Sequence, residues 1–343
     1  SWREMEEIWY PKHLSLEQCS SEITARYKAR LSQGDSLTDL TGGFGIDCSF
    51  LATGFKSATY VERQEELCEI AAHNFPILHL NHINVRNEDG VAYLQTMSPV
   101  DCIFLDPARR NEHGGKTVSI ADCEPNVAEL EDLLLSKASR IMIKLSPMLD
   151  LSLALKELKH TQEVHILSVN NECKELLILL GQTSPAEITI HCVNLFTKGT
   201  QEEQHFVFTR EQEQRSQCTY TDSLGDYLYE PNASLLKAGA FRSIAAAYPV
   251  RKLHPNSHLY TSDSFIENFP GRIFRIVNQC SFNKKEVKEN LADLKKANVT
   301  VRNFPATVAE LRKRLHLTEG GDTYLFASTL NNGQKVIIRC EKV

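Results

Sequence analysis

What this sequence lacks narrows its role. No apolar run in its 343 residues approaches the ~20 that a bilayer span needs, and no charged-then-apolar leader opens it. A cytoplasmic protein with no membrane partner is therefore expected. The chain opens on Ser1 rather than Met, as a trimmed chain does, so a preceding portion is expected. Ten cysteines are present but no Cys-x-x-Cys pair, and several, such as Cys102 and Cys192, fall in apolar runs. That scatter argues against a zinc site and suits reduced core thiols. His73, His79 and His82 lie close together but are divided by Pro76, and no metal is expected there.

A hydrophobic content of 42% with 24% charged residues is ordinary globular composition, and the length implies two or more domains. The net charge of −6 is spread unevenly: residues 1–220 carry −12 and residues 221–343 carry +6. A basic appendage on an acidic body suits a polyanionic partner.

The densest signal is Asp39-Leu40-Thr41-Gly42-Gly43-Phe44-Gly45-Ile46-Asp47. An acid, a glycine-crowded turn and the start of an apolar helix form the order that a nucleotide-like cofactor needs after a first parallel strand. Three further acids follow apolar runs at suitable distances: Glu62 after Val61, Asp89 after Val85, and Asp106, with Pro107-Ala108-Arg109, after Leu105. From residue 37 to about 180, β-rich runs at 36–40, 58–61, 82–85, 102–105, 140–143, 164–169 and 176–180 alternate with helical stretches. The expectation is a doubly wound, mostly parallel seven-stranded α/β sheet over residues 35–215, preceded by a helical segment, 1–34. Trp2, Trp9 and Tyr10 are expected to anchor that segment by packing. Residues 186–210 alternate like an antiparallel hairpin, and 211–217 reads as a linker. The remainder, 216–343, shows over 227–239 an irregular approach followed by a short helix, and then a β-α-β-α-β-β order that fits a small α+β ferredoxin-like domain. Its last two strands are joined by Asn331-Asn332-Gly333.

The four acid-tipped elements resemble the class I S-adenosylmethionine (SAM) dependent methyltransferases. That resemblance implies a Rossmann-like fold with SAM as cofactor: Asp39, Thr41, Gly42, Gly43 and Gly45 against the methionine end, Glu62 at the ribose and Asp89 at the adenine amino group. Many members have a further glycine where Thr41 stands. A nicotinamide dinucleotide site is the rival, but the third glycine of its loop is missing and Asp106-Pro107 has no role in it. With its tail, the chain resembles bacterial methyltransferases bearing a C-terminal THUMP-like domain, which implies RNA, transfer or ribosomal, as partner.

Asp106-Pro107-Ala108-Arg109 occupies the place of an Asp/Asn-Pro-Pro-aromatic signature in enzymes that methylate exocyclic amines of bases. The resemblance implies that the Asp106 side chain and the Pro107 carbonyl accept hydrogen bonds from the acceptor amine. Arg109 replaces the stacking aromatic, and its plane can stack on a base or bind phosphate. Arg110 and Lys116, with His113 and the Gly114-Gly115 joint, form a positive loop for substrate, and Lys144 ends an apolar run near the acceptor. The expected activity is methylation of RNA at a base nitrogen. Pyrimidine C5 methylation, which would need a cysteine nucleophile such as Cys173, remains an alternative. So do a small-molecule methyltransferase and an inactive RNA-binding or assembly factor.

Overall fold

A computed structural model describes residues 2, 7–11, 19–109 and 119–343, with Arg109 described by its backbone alone. The chain divides into two compact units, Ser1–Glu203 and Gln204–Val343.

In the first unit, α1 (Glu22–Ala29) opens on Ser21, whose hydroxyl accepts from the Thr24 amide. Then come β1 (Gly34–Asp39), α2 (Ile46–Leu51), β2 (Phe55–Glu62), α3 (Glu65–Ile77), β3 (Ile83–Asn87), α4 (Gly90–Thr96) and β4 (Val100–Leu105). Two short strands, β5 (Ala108–Arg109) and β6 (Cys123–Glu124), pair antiparallel before α5 (Val127–Lys137). They are followed by β7 (Ala138–Leu145), α6 (Leu151–Glu157), β8 (Thr161–Val169), β9 (Glu172–Gly181) and β10 (Thr189–Leu195). The spatial order within this unit is β10-β8-β9-β7-β4-β1-β2-β3. Within this order β9 runs antiparallel to both its neighbours, β7 and β8. The expected seven strands are present, but β10 makes an eighth: residues 189–195 lie parallel to β8 and in register with it from Thr189↔Glu163 to Leu195↔Val169. An alternating pattern identifies a strand but not its direction, and here its buried residues, Ile190, Cys192 and Val193, continue the sheet beyond β8.

Parallel strands covered on both faces must be apolar throughout. Ile141, Met142 and Ile143 are fully buried, and Leu37, Phe104, Met142 and Leu179 meet in one core across four strands. The N-terminal aromatics divide. Trp2 is buried against Phe44; Trp9 and Tyr10 are about half exposed yet also pack, Trp9 stacked on His73 at 3.8 Å and Tyr10 against Phe44 at 5.5 Å. The backbone of Trp9 is nonetheless clamped by buried Asn74, which donates to its carbonyl and accepts from its amide, both at 2.9 Å. Residues 16–18 of the expected first helix lie outside the described residues.

The strand β11 (Glu203–Thr209) spans the boundary between the units. The expected linker is a helix, α7 (Arg210–Arg215): the Thr209 hydroxyl accepts from the Gln212 amide while the Gln212 side chain accepts from the Thr209 amide, a reciprocal cap. The expected irregular stretch is a strand, β12 (Tyr227–Pro231), followed by α8 (Ala233–Ala238), α9 (Phe241–Ala247), β13 (Arg251–Lys252) and β14 (Tyr260–Ser262). The unit ends with β15 (Gly271–Ser281), α10 (Lys284–Leu291), β16 (Asn298–Val301), α11 (Val308–Leu315), β17 (Thr323–Thr329) and β18 (Lys335–Lys342). Its sheet runs β13-β14-β12-β15-β18-β17-β16. Val287 and Leu291 of α10 and Leu315 at the end of α11 pack with Cys280, Leu325 and Ile337 on one side of it. Among the described residues no helix is long and apolar enough to cross a membrane.

Candidate active site

The carboxyl ends of β1, β2 and β4 are adjacent in the sheet, and each ends in or is followed by an acid. Asp39 closes β1, is almost wholly buried and accepts from the Thr41 amide at 3.0 Å. Burial, reinforced by the nearby carboxylates of Asp47, Asp106 and Glu62, pushes its carboxyl up to about 8. The turn that follows needs its glycines: Gly45 stands at φ +85°, and a Cβ on Gly42 would fall 2.3 Å from the Tyr60 ring. Tyr60 in turn donates to the Gly43 carbonyl at 2.5 Å, seating the loop on β2. Glu62, largely buried at the end of β2, accepts from the Gly43 amide (3.0 Å) and the Gln64 amide (2.8 Å), one on each oxygen.

Asp89 is placed differently. It is exposed, and its Oδ1 caps α4 by accepting from the Val91 and Ala92 amides, both at 3.0 Å. Thr41, in the glycine loop, accepts with its hydroxyl from the Asp106 amide at 2.6 Å, so the loop after β1 is tied to the loop after β4.

Lys144, at the end of β7, does not reach outward. Its ammonium donates to Asp106 Oδ2 at 2.5 Å and lies 3.6 Å from Asp47 Oδ2. Burial pushes the Asp106 carboxyl up while Lys144 pulls it back down; the net direction is upward. The two acids hold the lysine above its ordinary value despite its burial. Arg110, Lys116, His113 and the Gly114-Gly115 joint lie outside the described residues, as does the side chain of Arg109.

Behind Lys144 stands a group that the sequence did not signal. Lys28, fully buried on α1, contacts Glu175 Oε2 at 2.6 Å, Ser20 Oγ at 2.7 Å and Asp47 Oδ1 at 2.8 Å. A lysine on a polar helix reads as solvated, and Glu175 stands in a polar stretch where only Cys173 drew notice. The only available signal was the acid–lysine alternation across distant elements, which no local pattern reveals. Cys173 itself lies on β9 opposite Ser168.

Two other places carry polar clusters. A cavity of about 520 Å³ is lined by Gly34, Asp35, Asp101, Ser139, Arg140 and Glu163. It opens at the amino ends of the strands, whereas ligands of open α/β sheets bind beyond the carboxyl ends. Glu163, His165 and His191 lie within metal-ligating distance of one another. The two imidazoles, however, are stacked, 4.3 Å apart with their planes 6° from parallel, so their lone pairs run side by side rather than converge on one ion. His165 instead contacts the Tyr27 hydroxyl (2.8 Å) and Glu163 (3.2 Å).

Comparison with known proteins agrees with this geometry. A family model for protein-L-isoaspartate(D-aspartate) O-methyltransferase matches residues 8–111. A ferredoxin-like domain model matches residues 227–270, and a THUMP domain-like model matches 271–342. Among solved structures, a candidate methyltransferase from Porphyromonas gingivalis W83 is 38% identical, with a TM-score of 0.91, over 100% of this chain and 86% of its own. An rRNA methylase from Streptococcus thermophilus is 14% identical over 46% of this chain and 93% of its own, TM-score 0.33. A candidate methyltransferase from Streptococcus mutans, solved in complex with SAH, is 12% identical over 47% of this chain and 96% of its own, TM-score 0.33. These last two are too distant to carry an argument. No curated protein matches the chain. The full-length likeness at this identity decides the matter: the chain belongs to the family of the Porphyromonas gingivalis protein, a methyltransferase family with a THUMP-like C-terminal region.

Proposed function

We propose that this protein transfers a methyl group from SAM to RNA, at a base nitrogen. The observation that carries this reading is the convergence of Asp39, Glu62 and Asp106 at the carboxyl ends of three neighbouring strands, around a loop that only glycines can close. The donor set fits the cofactor. Each oxygen of Glu62 accepts one amide and keeps a lone pair for the hydroxyls of a ribose. The glycine turn and Asp39 would hold the methionine end, and the Asp89 carboxylate, exposed beside the end of β3, the adenine. When bound, the cofactor supplies an electrophilic methyl on a sulfonium.

The chain's own work is then positioning. Asp106 accepts a hydrogen bond from the acceptor nitrogen and orients its lone pair, aided by the Pro107 carbonyl. Lys144 favours the ionised form of that carboxylate by direct contact, opposing the upward push of burial. On the second unit, Lys284, Lys285 and Lys288 of α10 and Lys313 and Arg314 of α11 are exposed on helices that pack on one side of its sheet, a surface suited to phosphates. Together with the basic balance of residues 221–343, it supports RNA as the substrate.

The test is nucleoside mass spectrometry of RNA from cells with and without the gene, paired with calorimetric titration of SAM. Loss of one methylated nucleoside is expected. Cofactor binding without transfer to any RNA, unmodified transcripts included, would instead favour a binding or assembly role. Glu62→Ala should weaken SAM binding about tenfold or more, the scale of losing hydrogen bonds to a charged group, whereas Asp106→Ala should leave most of that affinity. Equal losses in the two variants would contradict this division.

A further inference from the structure

Five ionisable side chains from five separate elements form one line of alternating charge: Glu175 on β9, Lys28 on α1, Asp47 on α2, Lys144 on β7, and Asp106 after β4. Successive contacts measure 2.6, 2.8, 3.6 and 2.5 Å. Ser20 braces the inner part, accepting from Lys28 and donating to Asp47 at 2.7 Å each. Side-chain exposure rises along the line, from 0% at Lys28 and 5% at Glu175, through 11% at Asp47 and Lys144, to 35% at Asp106. Only the last carboxylate opens outward.

Burying two ammonium groups is a poor way to gain stability, since well-packed apolar residues of similar volume commonly do as well or better. The line does have an electrical effect at its open end. Its two lysines and its two inner acids balance in formal charge, and the member that touches Asp106 is a cation, Lys144. Lys144 acts by contact, and Lys28 acts at a distance through its charge, lowering the proton affinity of Asp106 against the opposing charge of Asp47.

We propose that Lys28 is a positioning residue for Asp106, acting through Asp47 and Lys144. The inference rests on the reading of Asp106 as the group that meets the acceptor, and it places a determinant of that acid's behaviour on α1, outside the cofactor motifs. Lys28 transfers nothing itself. It holds Asp47 ionised, Asp47 holds Lys144 in place, and Lys144 fixes one oxygen of Asp106 while the carboxylate faces outward.

The test reads Asp106 directly, by carboxyl carbon NMR titration of the full chain labelled at aspartate, with the Asp106 signal assigned by its loss in Asp106→Asn. In Lys28→Met the midpoint should rise by about half a unit, roughly threefold in proton affinity, and the acid limb of the pH–rate profile for methyl transfer should move the same way. Should Lys28→Met fail to fold, the double variant Lys28→Met/Glu175→Gln removes a cation and an anion together and so leaves the buried charge balanced. Because Glu175 is the remoter partner, the midpoint should still rise, by less. A folded variant in which the midpoint stays where it was overturns the proposal, whatever the substrate is. A midpoint that moves in a protein that methylates no RNA upholds the positioning role and counts instead against the functional reading.

Discussion

The two units each bury an acid among cations, and they do so differently. In the second unit Glu230, 2% exposed, is gripped by Arg272 through two nitrogens and by Arg302 at 3.0 Å. In the first, acids outnumber lysines three to two, and one acid stands a third exposed at the end of the line. Arginine forks present a fixed charge that does not titrate and match a carboxylate geometrically. They make a strut, joining β12, β15 and the residue after β16. Lysines are point charges whose surroundings decide their ionisation. They make an adjustable setting, which a group used in chemistry needs and a group used in architecture does not.

The sharpest way to break this contrast is to remove one acid from each unit. Asp106→Asn should lower methyl transfer by about a hundredfold or more, the range of a lost positioned group. Glu230→Gln should leave the rate per folded molecule unchanged, and a comparable rate loss in both variants would erase the distinction. Stability should respond in reverse. Glu230→Ala strands two arginines and should cost about 2 kcal/mol in denaturant unfolding, discounted from a fully buried pair because both arginines are a third exposed.

A smaller effect should come from pH. Asp39 is held near 8 in the folded chain against an ordinary value of 3.8, so the folded state binds its proton more tightly than the unfolded state. Its contribution to stability is full below about pH 4 and is lost as pH rises through 8. The melting temperature of the ligand-free protein should therefore fall by a few degrees between pH 5 and 8, and Asp39→Asn should flatten that slope. A slope identical in both proteins would show that Asp39 titrates normally. The mildest effect belongs to the basic helices: Lys285→Glu with Lys288→Glu should weaken RNA binding severalfold in fluorescence anisotropy and shallow its salt dependence by about two phosphate contacts.

The cofactor half of the first unit was legible because its signals are local. Strand ends, glycines and the acids after them occur within a few residues of one another, as Asp39 and the glycines at 42, 43 and 45 do. Legibility failed where the determinant was distant or was outweighed. That β10 pairs with β8 depends on a strand some 25 residues earlier. The polarity of residues 211–217 masked a helix whose cap, Thr209 with Gln212, was nevertheless written in the sequence. Lys144 and Asp106 were each singled out, but their pairing was not, because residues at the ends of separate strands share no spacing. Lys28 belongs to a helix with a weakly amphipathic pattern, and nothing nearby distinguishes it from a solvated lysine.

The hydroxyl of Thr41 makes one mechanical piece of what would otherwise be two separate loops. A glycine there could flex without consequence for the neighbouring strand. A threonine fastened to the Asp106 amide couples the two loops, so that on the proposed reading spent cofactor and methylated product should leave in concert. Thr41→Val, which keeps the shape and removes the latch, would let one departure run ahead of the other.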